Sequence, residues 1–248
     1  MLMPSSYTPT PDLLADRNVL ISGAGDGIGK ALAMACARAG ASTLLLGRTT
    51  SKLEAVYDEI IAAGLPKPAI VPLDLTAFES KDVNDLIEAI DTNYGTLQGL
   101  VHNAALLGER VPLAHYDTVT WHQVMQVNVN AVFVLTRALL PALDRAGDAS
   151  LIFTSSSVGK MPRAYWGAYS VSKYALEGMA MLLADELENV SGIRSNILNP
   201  GATRTGMRAA AYPNEDPATL KTPEAVLPYY LWLLGRDSAG VHGQRFDA

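Results

Sequence analysis

The chain has 248 residues, of which 49% are hydrophobic and 18% charged, and it carries a formal net charge of −6. This is ample material for one large core, and α/β folds of such length are often single units. The acid excess argues against a general binder of nucleic-acid backbones, and the lone cysteine, Cys36, excludes an intrachain disulfide and any multi-cysteine metal site.

Residues 1–16, rich in Pro, Ser and Thr, read as a surface arm that becomes ordered near Leu13, and residues 17–248 as a single domain. The start lacks a basic stretch followed by an apolar core, so it is not a secretory signal. The run 19–21 is a short apolar strand ending in Ser22-Gly23-Ala24-Gly25-Asp26-Gly27-Ile28-Gly29, and the Ala-rich stretch 30–39 is a helix stopped by Gly40. Residues 43–46 form a second buried strand. A helix over 51–63 follows, with Ser51 as its N-cap and Glu54 three residues on. A third strand covers 69–73. The helix 79–94 then places Val83, Leu86, Ile87 and Ile90 at helical spacing.

The alternation continues with a strand at 99–102, a long helical stretch from about Thr118 to Leu143, a strand at 151–154 and a helix over 169–188. A sixth strand at 193–198, a helix at 226–234 and a terminal strand at 244–246 complete it. Strands recurring with helices between them predict a three-layer α/β fold, a doubly wound parallel sheet covered on both faces. No apolar run has membrane length, because 131–143 is interrupted by Arg137 and Pro141. A cytoplasmic location with no membrane partner and no nucleic acid is expected.

The glycines Gly23, Gly27 and Gly29 stand between the first strand and the first helix. There the chain needs no Cβ at its turn, and a helix N-terminus faces an anion such as a dinucleotide pyrophosphate. The fold is thereby predicted to be of Rossmann type. The second strand ends Leu46-Gly47-Arg48-Thr49-Thr50, where an NAD site usually presents a carboxylate to the ribose. An arginine there suits the 2′-phosphate of NADP instead, so NADP is the expected cofactor and NAD is disfavoured. Asp26 counts the other way, since it brings negative charge near the phosphates. Asp74, just past the third strand, is placed to accept from the adenine amino group or to cap its own loop.

The chemistry is expected at Thr154 to Lys173. Three adjacent serines follow an apolar run, and Tyr169 precedes Lys173 by four residues, which puts both side chains on one helix face. Tyr165 and Tyr174 have no lysine at that spacing. An ammonium beside a phenol favours phenolate, so Tyr169 is expected to titrate below its usual value of ~10.

Together these residues resemble the short-chain dehydrogenase/reductase family. The match is carried by the glycine pattern, Asp74-Leu75, His102-Asn103-Ala104-Ala105, Asn128, Ser156, Tyr169-x-x-x-Lys173, and Asn199-Pro200-Gly201 followed by Thr205. It covers nearly the whole chain, and runs such as HNAALLGE, MQVNVNA and FTSSSVG are similar to its YciK-type bacterial oxidoreductases. The resemblance implies an enzyme that interconverts a ketone or aldehyde and an alcohol, with Tyr169 as general acid or base. Lys173 would lower the tyrosine pKa and hold the nicotinamide ribose. Ser156, three residues before Gly159 and thirteen before Tyr169 as in the family, would bind the substrate oxygen. Asn128, 28 residues before Ser156, would hold a water linking Lys173 to solvent, with Asn130 the competitor and a surface polar residue the plain alternative.

The resemblance further implies that Ser22, Gly23, Gly27, Ile28, Gly29, Asp74, Leu75, Asn103 and Ala104 line the cofactor. Pro200, Gly201, the backbone at Ala202, and Thr205 would grip its carboxamide. His102 and Ala105 depart from the family's usual Asn and Gly; Ala105 would narrow the pocket, and His102 is expected to be a packed strand residue. His115, His122 and His242 show no ligand spacing, so no catalytic metal is expected. Val158, Met161, Trp166 and the segment 204–220, with the loop character of a lid, should surround the carbonyl. Arg204 and Arg208 would bind an anionic substrate or pair with Glu215 and Asp216. By resemblance, the helices around Asn128 and Tyr169 would pack across a two-fold axis into a homodimer or homotetramer. A nucleotide sensor without turnover and an NAD-linked alcohol dehydrogenase are the competing functions.

Overall fold

Each apolar run becomes a strand of one sheet. The structure, a computed structural model, describes Met3 and residues 7–248. In chain order the elements are β1 (Asn18–Ser22), α1 (Gly27–Arg38), β2 (Ser42–Gly47), α2 (Thr50–Ala62), β3 (Ala69–Pro72), α3 (Ser80–Asn93) and β4 (Gly99–His102). There follow α4 (Thr118–Met125), a π-helical turn (Gln126–Asn130), α5 (Ala131–Asp144), β5 (Ala149–Thr154), α6 (Gly167–Leu187), β6 (Ile193–Asn199), α7 (Gly206–Ala211), α8 (Leu227–Leu234) and β7 (Gln244–Asp247). The strand order is β3-β2-β1-β4-β5-β6-β7, with every neighbouring pair parallel. The chain order reverses between β1 and β4, so the C-terminal ends of those strands open a crevice where open α/β sheets bind ligands.

Alternation along each strand divides the core into two layers. Val19 and Ile21 of β1 pack with α1, α2 and α8, whereas Leu20 packs with α3, α5 and α6. Burial on both faces is why these strands read as unbroken apolar runs rather than alternating ones. The first layer holds the largest buried side chains, Trp232 and Tyr230.

Three local expectations change. The N-terminal arm joins the core earlier than Leu13: Leu14 is fully buried, its N–H donates to Ala39 O at 2.8 Å, and Met3 and Tyr7 rest on the first layer. The apolar side chains of the arm cover what α1 and α8 leave open. The N-cap of α2 is Thr49 rather than Ser51; its extended backbone turns the chain off β2 without a side-chain bond, so the Ser51/Glu54 pattern is not used. A capping box forms instead on α3, where Glu79 and Asp82 bond reciprocally. Arg137 and Pro141 break the apolar run without shortening the apolar helix around them, which forms as expected over its length. Thr118–Asp144 is a continuous 27-residue helical stretch, long and apolar enough by length and composition to cross a membrane. Its apolar stripe, which includes Val132, Leu135, Leu139 and Leu143, is spent on the second core layer.

Candidate active site

The loop after β1 is shaped by backbone contact. A Cβ on Gly29 would lie 2.1 Å from the Gly23 carbonyl oxygen and 2.7 Å from Asn103 Nδ2, so only glycine fits there. Asn103 Nδ2 donates to Ser22 O at 3.0 Å, and Ser22 Oγ accepts from the N–H groups of Asn103 and Ala104, each at 3.0 Å. These bonds clamp the glycine loop to the end of β4. Asp26 caps α1 through Gly27 N at 2.7 Å and pairs with Lys52 Nζ at 2.6 Å. Its charge is therefore neutralised by a lysine, which removes the objection to a second phosphate nearby.

Arg48, at the end of β2, makes no ion pair among the described residues, and its charge helps to hold the Asp74 carboxyl below the usual range behind the bonds from Thr76. Asp74 Oδ1 accepts from Thr76 N at 2.9 Å and Thr76 Oγ1 at 2.7 Å, a loop cap that leaves Oδ2 free. Arg48 thus puts a cation, unpaired among the described residues, in the wall of the crevice, beside the Lys52–Asp26 pair.

The other end is built by α6. Gly167 opens this helix where an added Cβ would sit 2.4 Å from the Tyr116 ring, and Tyr165 just before it has a φ of +69°. One turn in, Tyr169 and Lys173 share a buried face, with Nζ 5.5 Å from the phenol ring centroid and donating to Thr154 O at 2.7 Å. Ser156 ends the strand-to-helix turn beyond β5 and accepts from Val158 N at 3.5 Å.

Burial overturns the expectation for the tyrosine. Loss of water pushes the Tyr169 phenol up to about 12, with the Ser156 hydroxyl pulling it down by less. The same burial pushes the Lys173 ammonium down to about 8, opposed by the charge of Glu177. Each charged form is disfavoured in a dry site, and this outweighs the attraction expected between them. At neutral pH the phenol keeps its proton and the lysine remains largely cationic, which is the acid-loaded form of the pair.

Behind it lies a network that sequence reasoning missed. Ser155 Oγ donates to the Glu177 carboxylate, and Arg245 Nε meets both oxygens of Glu177 at 3.2 and 3.1 Å. Arg245 Nη2 donates to Ser156 O at 3.2 Å, and its Nη1 donates to Asp247. Asp247 in turn accepts from Asn199 Nδ2 at 2.7 Å, and Asn199 Oδ1 accepts from Gly201 N at 3.0 Å. Strand β7 therefore ties the backbone of Ser156 to the loop after β6. The signal lay in two spacings: Glu177 repeats the four-residue step of Tyr169 and Lys173, and Arg245 and Asp247 share one face of β7.

Asn128 is fully buried in the π turn rather than a surface residue, while Asn130 is exposed. Its Oδ1 accepts from Leu106 N at 2.8 Å, and its Nδ2 donates to Leu106 O at 2.9 Å and Ser172 Oγ at 3.0 Å. With the carboxamide so engaged, it braces the loop after β4 against α6. A cleft of about 510 Å³ joins Gly23, Gly27, Ile28, Arg48, Asp74, Leu75, Asn103 and Ala104 to Ser156, Tyr169, Lys173, Pro200, Gly201 and Thr205. Ser22, Gly29 and Asn128 stand behind its wall and shape it.

On the substrate side, Val158, Trp166, Tyr169 and Ala211 form a small apolar cluster with Ala105, Leu107, Met207 and Tyr212. Met161 does not join it, being 67% exposed on the outer side of its turn. Arg208 is paired with Glu215 through two bonds of 2.6 Å, and Arg204 donates to the carbonyls of Pro217 and Leu220. Both arginines hold the α7 segment together. His102 is buried, bonds Thr136 Oγ1 at 2.8 Å, and is pushed down to about 3 by burial, so it stays neutral as a packed strand residue. His242 bridges Ser195 N and Ala184 O.

A parallel sheet in this strand order, with Ser156, Tyr169 and Lys173 at one end of a glycine-floored cleft, defines a dehydrogenase architecture. The family model described as short chain dehydrogenase matches residues 17–216, and the chain belongs to that family. It is an oxidoreductase, similar at 50% identity over 242 residues to the uncharacterized oxidoreductase YciK of Escherichia coli (strain K12), covering 98% of this chain and 95% of the relative. A short chain dehydrogenase of Shigella flexneri 2a str. 301, solved in complex with NADP, superposes with a TM-score of 0.93 at 49% identity, covering 96% of this chain and 99% of the other. One from Escherichia coli CFT073, in complex with NADPH, gives a TM-score of 0.93 at 50% identity with the same coverage of 96% and 99%.

Proposed function

We propose that this chain is an NADP(H)-dependent reductase of ketones or aldehydes, equivalently a dehydrogenase of the corresponding alcohols. The observation that carries the reading is a single cleft with two unlike ends: a glycine-floored wall bearing Arg48 and Lys52, and a dry pocket bearing Ser156, Tyr169 and Lys173. The residues fit the cofactor. Gly23 and Gly29 let the loop after β1 pack tightly on Asn103 and Ala104 so that its backbone floors the cleft, and the arginine at the end of β2 has no carboxylate bound to it among the described residues. Solved relatives carrying NADP and NADPH support the same choice over NAD.

The group supplies hydride when bound; the proton is this chain's work. Ser156 donates a hydrogen bond to the substrate carbonyl, stabilising the negative charge that grows on oxygen. Tyr169, held as a phenol by burial, gives that oxygen its proton, and in the alcohol direction takes it back. Lys173 replaces the phenol's proton and binds the ribose hydroxyls, and the main chain at the Asn128 turn holds the water through which it exchanges with solvent. The backbone from Pro200 to Thr205 orients the carboxamide. A sensor with the same fold would not need this trio, and all three are present.

The expected test is a panel of ketones and aldehydes followed by NADPH absorbance, with NADH in parallel. At least one carbonyl is reduced with NADPH at a kcat/KM above that with NADH. Stoichiometric binding of NADPH without oxidation by any member would favour the sensor.

We further propose that the chain works as a homo-oligomer, with no membrane and no nucleic acid as partner, in the cytoplasm. The support is a set of apolar side chains left outside on the long helices: Phe133 on α5, and Val171, Tyr174, Met181 and Leu182 on α6. Phe133 and Leu182 are 54% and 58% exposed, more than a chain acting alone needs to leave in water. A second copy related by two-fold symmetry would cover them.

A further inference from the structure

We propose that a hollow beside Trp166 is an anion subsite, in which Arg110 takes the carboxylate or phosphate end of the substrate. The inference deepens the proposed function by naming a substrate class, and its carbonyl end rests on that reading. The hollow has a volume of about 500 Å³ and is lined by Arg110, Tyr165, Ala211, Tyr212, Asn214 and Glu215. Ala211 also lines the reaction cleft, so the two spaces share a wall.

Arg110 is held in an unusual way. Its guanidinium carbon lies 4.4 Å from the Trp166 ring centroid and 4.8 Å from that of Tyr212. Nη1 donates to Ala211 O at 2.5 Å, while Nε is buried without a hydrogen-bond partner among the described residues. No carboxylate stands within ion-pair distance of it among those residues. The contrast with Arg208 is direct, because that arginine sits over Tyr212 and is neutralised by both oxygens of Glu215. Glu109 is engaged by Asp117 N at 3.1 Å. The hollow therefore keeps one uncompensated positive charge whose planar fork retains free N–H groups, the geometry that suits carboxylate or phosphate.

The position of this cation sets the shape of the ligand. The Trp166 ring adjoins both this cation, at 4.4 Å, and the reacting tyrosine, at 5.6 Å between ring centroids. Val158, Trp166, Tyr169 and Ala211 belong to one apolar cluster, and Ala211 lines both spaces. A substrate that reaches from the reaction cleft over the shared Ala211 wall into the hollow has a ketone or aldehyde at one end, an apolar spacer, and an anionic group at the other. Aromatic surfaces on the guanidinium keep water away from it, which strengthens a charge-assisted bond to such a ligand.

The test uses matched oxo compounds that differ only at the far end: a carboxylate, its neutral amide and a phosphate monoester. With wild-type protein and NADPH, an anionic member has a kcat/KM about tenfold or more above the amide. Arg110→Gln loses that advantage, leaves the amide within about twofold and leaves NADPH affinity unchanged. Asn214→Asp, at an exposed position, keeps the fold and weakens the anionic members alone by placing a like charge in the hollow. Which anion gains more identifies the end group. Equal losses for acid and amide in Arg110→Gln would overturn the subsite and leave Arg110 as a latch on Ala211, and so would the absence of any preference in wild type. Calorimetric binding of a non-reducible analogue, with methylene in place of the carbonyl, to the NADPH-loaded protein reads the subsite without turnover. A tight anionic analogue that Arg110→Gln releases, in a protein that reduces nothing, would sustain the subsite and refute the reductase. An analogue bound no better than its amide would refute the subsite alone.

Discussion

At the scale of single residues, the site is governed by how dry it is. Tyr169 and Lys173 are both shifted towards their neutral forms, the phenol to about 12 and the amine to about 8. Sequence spacing alone brought the pair together; it could not show that burial would outweigh the pair's mutual attraction, since desolvation depends on what the rest of the chain packs around them. The consequence is a pH profile. Activity that needs the Lys173 cation is present below its pKa and falls as pH rises through about 8. Glu177 holds that pKa up, so Glu177→Gln moves the alkaline limb to lower pH. Arg245→Met leaves the Glu177 charge less compensated and moves it to higher pH. A kcat/KM profile for both variants checks this, and shifts in the same direction would refute the electrostatic role of Glu177. Removing one partner of this half-buried pair also costs stability of about 3 kcal/mol, measurable by urea unfolding.

At the scale of elements, the proposed choice of nucleotide rests on the end of strand β2 and the start of α2. Arg48 and Lys52 stand on the same wall, with Asp26 bound to the lysine. Arg48→Asp removes a cation from the 2′-phosphate site and supplies a carboxylate for ribose hydroxyls, so the ratio of kcat/KM for NADPH to that for NADH falls by about 10²-fold or more. An unchanged ratio would refute the assignment of Arg48. Much of this was legible, because a glycine loop between strand and helix and a residue at a strand end are local patterns. The Tyr169 and Lys173 face was legible for the same reason, from the period of a helix. What escaped was long-range. Arg245 and Asp247 reach the site only because β7 lies beside β6, and the bonds by which Asn128, itself named from the sequence, braces the loop after β4 depend on a π turn. The use of Thr49 rather than Ser51 as a cap depended on the angle at which β2 leaves the sheet, which no composition signal carries.

At the scale of the whole molecule, one sheet carries the glycine loop and Arg48 at one side of the β1/β4 crevice and Ser156, Tyr169 and Lys173 at the other, with β7 paired to β6 at the far edge. The exposed apolar side chains of α5 and α6 do not line the cleft, so the proposed association is separable from the proposed catalysis. Phe133→Glu paired with Leu182→Glu gives a smaller species by sedimentation while NADPH binding persists; an unchanged mass relative to wild type would place the interface elsewhere. The claim on which the rest depends is that Tyr169 moves the proton in a site that also binds NADPH. It is tested most directly by comparing Tyr169→Phe with wild type for NADPH affinity and for turnover of one accepted carbonyl. The geometry predicts unchanged affinity and a kcat lower by about 10²–10⁴-fold. A variant that still turns over near the wild-type rate would contradict it.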